Sequence, residues 1–345
     1  MIESRSRAAS GVAPVAGRAA KPILVTGGSG FTGGHLIRAL WADGLHVQTL
    51  ARGSSRLDHL PDGVDVVCGD LGDPDALRKA VAGVDIVFHV AAAFRQARLP
   101  DRVYHAINVE ATERLVEAAA AAGVRRFVHC STCGVHGDVK GGTATEESPL
   151  RPGDVYQRTK LLGEEAARRA AERTGLNLAI ARPTGIYGPG DRRLLKLFRA
   201  VARRRFVMLG PGDVRYHLTH VDDVVRGLRL CAERPDAVGR TYLLAGPTAP
   251  TLRELVSSIA RAAGVPAPTR HWPLRPFRMV AAITERVCRP LGIEPPLHGR
   301  RLDFFVKDRA FDASRASREL GFDPSVTLEE GIAGTMRWYR EHGWV

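Results

Sequence analysis

A tyrosine and a lysine four residues apart form one group that can move a proton. On a helix, Tyr156 and Lys160 lie on the same face, one turn apart. A free tyrosine has a pKa of about 10 and is a weak acid–base catalyst at neutral pH, but a nearby ammonium stabilises the phenolate and lowers that pKa. The pair therefore indicates proton exchange with a carbonyl or hydroxyl, although this spacing also arises by chance in surface pairs.

A glycine-rich stretch indicates a pyrophosphate site. Gly27, Gly30 and Gly33 follow a short apolar stretch at 23–26 and precede a helical pattern at 35–41. A strand, a tight turn and a helix N-terminus leave backbone N–H groups aimed at one point, where the helix dipole adds partial positive charge. Glycine is needed where the backbone turns sharply or touches the ligand. Its place after the first strand favours a dinucleotide over a turn without a ligand.

Two hydroxyls follow a later strand. Ser131 and Thr132 stand at the end of a predicted strand at 126–131. Catalytic groups of open α/β folds lie at the carboxyl ends of strands. Either hydroxyl could hydrogen-bond a substrate oxygen and hold it against Tyr156.

Alternating strands and helices must position these groups. Strands are predicted at 23–26, 46–50, 64–68, 84–90, 126–131 and 176–181, with helices at 35–41, 73–81, 109–122 and 154–174 between them. Short βαβ intervals predict an α/β fold with a Rossmann-type, doubly wound parallel sheet.

The alternation divides the chain. We expect a dinucleotide-binding domain at 22–185 and a smaller, mostly helical substrate-binding region at 186–345. Within that region, one strand and helix at about 215–245 return to the Rossmann sheet. Residues 1–21 lack the central apolar run of a signal peptide and are expected to be a disordered tail.

The strongly basic charge is interpreted as a general arginine-rich composition and not as a nucleic-acid site. The 345 residues carry a net charge of +13 and are 44% hydrophobic. Arginine is spread along the whole chain and is not interleaved with aromatic residues as a nucleic-acid groove requires, so no nucleic acid is expected. A predicted helix at 191–205 is interpreted as one buried stripe and one solvated basic face, the latter formed by Arg192, Arg193, Lys196, Arg199, Arg203, Arg204 and Arg205.

Five cysteines and the absence of long apolar runs bear on location. Cys130 and Cys133 form one C-x-x-C pair, which lacks the partners that a zinc or redox site needs. We therefore expect structural thiols, no metal site and a cytoplasmic location. No apolar run reaches the roughly 18–20 residues of a membrane span.

Taken together, these motifs resemble a known family. Along about residues 21–340 the chain is similar to the extended short-chain dehydrogenases/reductases, in the NAD-dependent epimerase/dehydratase superfamily. The matching residues are Thr26–Gly33, Gly69–Leu71, His89–Ala92, Asn108, Ser131 and Thr132, Tyr156 with Lys160, and Arg182-Pro183 through Tyr187–Pro189.

The resemblance implies a role for each matching residue. Thr132, Tyr156 and Lys160 would be catalytic, with Lys160 also binding the nicotinamide ribose. It further implies a homodimer through helices near 110–121 and 156–173. The cofactor would contact Gly27, Gly30, Phe31, Thr32, Gly33, Asp70, Leu71, Ala91, Ala92, Asn108, Tyr156, Lys160, Pro183 and Thr184.

The end of the second strand bears on the choice of cofactor. NAD sites usually place an Asp or Glu there to hold the ribose hydroxyls. This chain instead has Arg52, two serines and Arg56, with no acid until Asp58. Arginines and serines suit a 2′-phosphate. We therefore predict binding of NADP through Arg52 and Arg56, with NAD as the alternative.

Two departures bear on the branch. Sugar-nucleotide enzymes of the family commonly have Asn where this chain has Gly185, and Arg where it has Tyr216, with Arg215 one residue away. The chain is therefore expected to resemble the 3β-hydroxysteroid dehydrogenase-like and dihydroflavonol reductase-like oxidoreductases, which act on apolar ketones and alcohols. The alternative is an NDP-sugar 4-epimerase or dehydratase. A non-enzymatic regulator is disfavoured because all three catalytic groups are present.

One segment near the C-terminus stays open to three interpretations. Residues 270–297 are rich in proline and arginine around an amphipathic piece at 277–288. They form a pocket wall or lid, a peripheral contact with an anionic membrane, or an ordinary packed helix. The apolar candidates are Trp272, Leu274, Phe277, Met279, Val280, Ile283 and Val287, and the basic ones are Arg275, Arg278, Arg286 and Arg289.

Overall fold

The structure is a computed structural model that describes residues 21–94, 99–288 and 299–345. Residues 1–20 of the predicted tail lie outside the described residues, as do residues 289–297 of the proline- and arginine-rich segment. No helix within the described ranges is both long and apolar enough to cross a bilayer.

Strands and helices alternate through the first two thirds of the chain, as predicted. The strands are β1 (Ile23–Thr26), β2 (Val47–Ala51), β3 (Asp65–Cys68), β4 (Ile86–His89), β5 (Arg126–Cys130), β6 (Leu178–Pro183), β7 (Gly185–Tyr187), β8 (Met208–Leu209), β9 (Leu218–His220), β10 (Thr241–Leu244) and β11 (His271–Trp272). The helices are α1 (Phe31–Ala42), α2 (Pro74–Val81), α3 (Asp101–His105), α4 (Ala111–Ala121), α5 (Val155–Thr174), α6 (Leu195–Ala202), α7 (Val221–Glu233), α8 (Leu252–Ala263), α9 (Leu274–Cys288), α10 (Gly299–Val306), α11 (Ser314–Leu320) and α12 (Leu328–Glu341).

Seven of these strands form one parallel sheet in the order β10-β6-β5-β4-β1-β2-β3. The chain moves outward from β1 in one direction to β3 and then returns to β4 on the other side. This reversal between β1 and β4 opens a crevice at the carboxyl ends of the strands, where ligands of such sheets bind. The predicted doubly wound α/β fold is confirmed.

Helices cover both faces of the sheet. On one face, Leu36 and Ile37 of α1 pack with Leu228 of α7, and all three are fully buried. On the other face, Leu77 of α2 and Leu115 of α4 are equally buried. Strands enclosed on both sides are typical of a parallel sheet.

The second half of the chain adds one strand to the main sheet, within the range 215–245 expected from the sequence, and two short strand pairs that the sequence did not predict. Strand β10 forms the sheet edge, where Tyr242 pairs with Ala181 of β6. The strands β7 and β9 pair with each other, as do the two-residue strands β8 and β11. Beyond them, α6, α8 and α12 surround a separate cluster that includes Phe198, Ile259 and Met336.

The glycine turn after β1 is tightly packed. Gly27 has a φ of +80°, and a Cβ there would lie 2.8 Å from the Ala91 nitrogen. A Cβ on Gly33 would lie 2.2 Å from the Gly27 carbonyl oxygen. The first turn of α1 therefore approaches the strand closely only because these positions lack side chains.

Two glycine substitutions should have opposite effects on stability. Gly33→Ala should lower the free energy of unfolding by more than about 1 kcal/mol, because the new methyl meets rigid backbone. Gly334→Ala in α12 should raise it by about 0.5–1 kcal/mol, since nothing lies within 4 Å of that Cβ position. Urea denaturation of both variants provides the comparison. A Gly33→Ala variant as stable as the parent would contradict the packing described.

Candidate active site

A cleft of about 560 Å³ lies at the carboxyl ends of the central strands, over the reversal of strand order. It runs from the glycine turn and the end of β2 to the start of α5. Most of the predicted site residues line it: Gly27, Gly30, Phe31, Thr32, Gly33, Arg52, Asp70, Leu71, Ala91, Ala92, Tyr156 and Lys160.

The lysine of the proton-transfer pair is almost fully buried, at 1% exposure. Its Nζ donates to the Cys130 carbonyl oxygen at 2.8 Å and lies 3.3 Å from His129 Nε2. Burial lowers the pKa of Lys160. An ammonium fixed in this way keeps a third N–H for the cleft, where it can serve a ribose hydroxyl or the tyrosine.

Two buried histidines beneath Lys160 are held neutral. Burial, with the Lys160 charge adding to it, lowers the pKa of His89 to about 3. The same two causes lower the pKa of His129. A neutral His129 can accept from the ammonium rather than repel it. The Nδ1 atom of His89 lies 2.8 Å from Thr26 Oγ1, and the same oxygen accepts a hydrogen bond from the Ala91 N–H. This network therefore joins the glycine-turn strand to the wall of the cleft.

One turn beyond Lys160, a buried carboxylate fixes the end of β5. Glu164 accepts from Ser131 Oγ at 2.5 Å and from Arg182 Nε at 2.9 Å and Nη2 at 2.7 Å. Burial alone would raise the pKa of Glu164, but the hydrogen bonds from Arg182 and Ser131 bring it below its ordinary value. Losing one partner of such a pair typically costs about 3–5 kcal/mol.

The structure places the two candidate hydroxyls in different surroundings. Ser131 lines the cleft, but its proton is engaged by Glu164. Thr132 is not among the lining residues. Its oxygen accepts from the Gly134 N–H at 3.0 Å, so its hydroxyl proton is not used in that bond.

Three residues predicted from the sequence to contact the cofactor, Asn108, Pro183 and Thr184, do not line the cleft. Asn108 is buried and bonds both backbone groups of Ala93 as well as Thr159 Oγ1. Its amide is satisfied there, so it supports the wall. Thr184 Oγ1 lies 2.5 Å from Thr219 Oγ1, and neither Thr184 nor Pro183 lines the cleft. Ile186, from the same segment, takes that place.

The end assigned to the adenosine is basic and open. Arg52 and Ser55 line it, while Arg56 is exposed and does not. Asp70 is the one acid among the described lining residues, and its Oδ1 accepts from the Gly72 N–H at 2.8 Å. Of the two arginines predicted to bind a 2′-phosphate, only Arg52 is among the described residues of this wall.

The opposite end of the cleft is apolar and was missed from the sequence. Its wall is formed by Phe94, Leu99, Val103, Ile107 and Ile186, together with the cation Arg193. The first of these follow β4, and a rule that sites form after strand ends would have found them. Arg193 had no such signal. It was assigned to a solvated basic face, but α6 begins only at Leu195, and Arg193 lies in the preceding loop.

The cysteines near the site behave as structural residues. Cys130 and Cys133 are buried free thiols, and burial raises their pKa values to about 11 and about 12. The thiolate form that redox chemistry and metal binding require is therefore disfavoured at neutral pH.

This geometry agrees with comparison to known proteins. Residues 23–245 match the NAD dependent epimerase/dehydratase family. The chain belongs to this family, within the extended short-chain dehydrogenases/reductases. It is therefore an enzyme of an NAD-dependent family, and the cleft over the glycine turn, at the reversal of strand order, is where such a dinucleotide would fit.

Relatives of several activities align along nearly the whole chain. The 4-hydroxy-2-methyl-3-oxo-4-farnesyl-3,4-dihydroquinoline-1-oxide ketoreductase of Stigmatella aurantiaca is 31% identical, over 90% of this chain and 94% of the relative. The 3β-hydroxysteroid dehydrogenase/Δ5→4-isomerase of Mycobacterium tuberculosis is 29% identical, over 92% of this chain and 90% of the relative. The dTDP-glucose 4,6-dehydratase DesIV from Streptomyces venezuelae, solved with NAD and TYD, is 28% identical with a TM-score of 0.76, over 94% and 98% of the two chains.

Proposed function

We propose that this enzyme transfers hydride between a nicotinamide cofactor and a secondary alcohol or ketone on a fairly apolar small molecule. The observation that carries the proposal is the apolar wall beside Tyr156. Phe94 packs edge-on against the Tyr156 ring, with 4.9 Å between ring centroids. Leu99, Val103 and Ile107 continue this wall. The farnesylated ketone named for the Stigmatella relative is a substrate of the same character.

Each catalytic residue has a distinct task in the proposal. The cofactor supplies or accepts the hydride, and the protein supplies geometry and charge. Tyr156 exchanges a proton with the substrate oxygen. Lys160, fixed by Cys130 and His129, places positive charge beside the phenol and binds the ribose. Thr132 donates its hydroxyl proton to the same substrate oxygen and orients it.

The alternative, an NDP-sugar 4-epimerase or dehydratase, lacks support at the residues that would hold the sugar nucleotide. Arg215 forms an ion pair with Asp308 and also donates to the Gly142 carbonyl. Tyr216 packs between Phe304 and the Arg309 guanidinium. The two activities differ in net cofactor turnover, because an epimerase or dehydratase returns its hydride to the substrate. Continuous NADPH consumption with a ketone therefore supports the oxidoreductase.

We further propose a preference for NADP. The family as a whole is NAD-dependent, but the first carboxylate after β2 in this chain is Asp58, seven residues beyond the strand end. Arg52 and Ser55 line the cleft at that point. A guanidinium and a hydroxyl suit the 2′-phosphate, whereas NAD sites usually present an acid to the ribose hydroxyls.

A third element of the proposal concerns α9, whose outer face would rest on an anionic lipid surface. The inner face packs through Leu274, Phe277 and Ala281 on a small apolar cluster. None of the described residues that line the cleft comes from α9, so we do not propose α9 as a wall of that cleft. Four large apolar side chains point to solvent instead: Trp272, Met279, Val280 and Ile283, at 50%, 66%, 48% and 59% exposure.

Charge favours a lipid surface as the occupant of that face. Arg275, Arg278 and Arg286 are exposed along the same helix. Large apolar side chains flanked by arginines are typical of helices that lie in the interface of anionic bilayers. The homodimer, which sedimentation velocity would test, and the cytoplasmic location stay predictions from the sequence.

Removal of the tyrosine hydroxyl should abolish most turnover. Tyr156→Phe is expected to lower kcat by about 10²- to 10⁴-fold, because no other group exchanges the proton. The cofactor Kd, measured by fluorescence titration, should change by less than about twofold, as the ribose contact comes from Lys160. Tyr216→Phe, outside the cleft, serves as the control and should keep its activity. Undiminished turnover by Tyr156→Phe contradicts the assignment.

Cofactor choice should follow Arg52 and not Arg56. The parent enzyme is expected to show a higher kcat/KM with NADPH than with NADH. Arg52→Asp should shift that ratio toward NADH by about 10- to 100-fold, since it removes a phosphate contact and adds a like charge. Arg56→Asp should leave the ratio nearly unchanged. A tenfold preference of the parent enzyme for NADH would rule out the proposal.

Vesicle flotation tests the α9 face. The protein should float with phosphatidylcholine/phosphatidylglycerol vesicles, less so at about 0.5 M salt, which screens exposed charges. Arg275→Glu with Arg278→Glu, and separately Met279→Asn with Ile283→Asn, should reduce the floated fraction. Arg203→Glu with Arg205→Glu is the matched control at exposed arginines elsewhere. The membrane contact is refuted if all variants float equally, or if the parent protein does not float at all.

A further inference from the structure

Among the residues that the structure describes, a cation, Arg193, lies at the apolar end of the cleft. Arg193 belongs to the loop between β7 and α6, and Asp191 fixes its position. Asp191 is 1% exposed, and its Oδ1 accepts from the Arg193 backbone N–H at 2.9 Å and from the guanidinium Nε at 3.1 Å. Its Oδ2 is 3.4 Å from the Leu194 N–H, which donates to it. The Asp191 carboxylate therefore fixes the Nε end of the guanidinium and also accepts hydrogen bonds from two backbone N–H groups.

The two terminal nitrogens of Arg193 remain available. Within the described ranges, neither has a hydrogen-bonding partner, and the Arg193 side chain is 41% exposed. The guanidinium carbon lies 5.9 Å from the centre of the Phe94 ring. Phe94 in turn packs edge-on against Tyr156. The Phe94 ring therefore lies between the Arg193 guanidinium and the Tyr156 phenol.

The surroundings make this cation distinctive. Among the described lining residues, the other cations are Arg52 at the adenosine end and the buried Lys160. The described residues around Arg193 in this wall are apolar, and the acid among the described lining residues, Asp70, belongs to the far end. A guanidinium in a partly desolvated, apolar setting binds a carboxylate through two parallel hydrogen bonds more strongly than it would in water.

We infer that Arg193 binds a carboxylate on the substrate, which is then an oxo acid, or the corresponding hydroxy acid, with an apolar body. This inference rests on the proposed function and narrows its substrate class. The ketone oxygen meets Tyr156 and Thr132, the carboxylate meets the terminal nitrogens of Arg193, and Phe94 lies between the two polar ends. Arg193 is in this sense a specificity-determining residue.

The experiment compares oxo acids with their methyl esters. A series in which two to four methylenes separate ketone and carboxylate is assayed by NADPH absorbance with the parent enzyme, Arg193→Met and Arg193→Lys. Arg192→Met is the matched control, because the neighbouring Arg192 stacks on Trp344 at 5.1 Å and does not line the cleft.

The parent enzyme should prefer one acid of the series over its ester. Arg193→Met should lower kcat/KM for that acid by about 10- to 100-fold, the usual effect of losing a charge-assisted hydrogen-bond pair. The value for the ester and the KM for NADPH should change by less than about twofold, which also shows that the variant folds. Arg193→Lys should restore part of the activity on the acid, and Arg192→Met should match the parent.

Other outcomes overturn the inference in distinguishable ways. An equal fall for acid and ester means that Arg193 only shapes the wall. A rise confined to the KM for NADPH assigns the guanidinium to the cofactor. If the parent reduces neutral ketones as well as the acids, the inference fails while the proposed function stands. If no ketone is reduced, the proposed function itself fails.

Discussion

The burial of one lysine is the constraint on which the site depends. Lys160 brings an ammonium into the interior at the cost of desolvation, and the structure offsets that cost with the Cys130 carbonyl and a neutral His129. Both acceptors belong to β5, so the same two bonds fix the start of α5 against the central sheet. Tyr156 lies one turn earlier on α5, so its position depends on the same contact. The packing of α5 against the sheet therefore also sets the geometry of the proposed catalytic pair.

A second buried charge reinforces this arrangement one turn further along α5. Glu164 accepts from Ser131, Arg182 and Arg168, so it joins β5, β6 and α5 at a single point. The carboxylate accepts the Ser131 hydroxyl proton, and in the proposed mechanism Thr132 is the hydroxyl that donates to the substrate oxygen. Because Lys160 and Glu164 follow each other at helical spacing, α5 supplies both the charge that acts on the cleft and the charge that supports it.

The features predicted correctly from the sequence are those that depend on the spacing of residues close together in the chain. The glycine turn at Gly27–Gly33, the Tyr156–Lys160 pair and the alternation of strands follow from short-range steric and periodic rules, and the fold was confirmed. The β7–β9 and β8–β11 pairings were missed because they join residues about 30 to 60 positions apart. The helix predicted at 191–205 begins later because Asp191 bonds the next backbone N–H groups and turns the chain. Asn108 was assigned to the ligand because sequence does not show which backbone groups a buried amide must satisfy.

The position of Arg193 has a consequence for how such enzymes diverge. The parts that move hydride and proton stand on the sheet and on α5, where substitutions disturb buried charges. Arg193 and Phe94 stand instead on connections that follow β7 and β4, where length and composition change at little cost to stability. On the proposed assignment of Arg193, the substrate class could therefore change through two loops without disturbing the buried charges around Lys160 and Glu164.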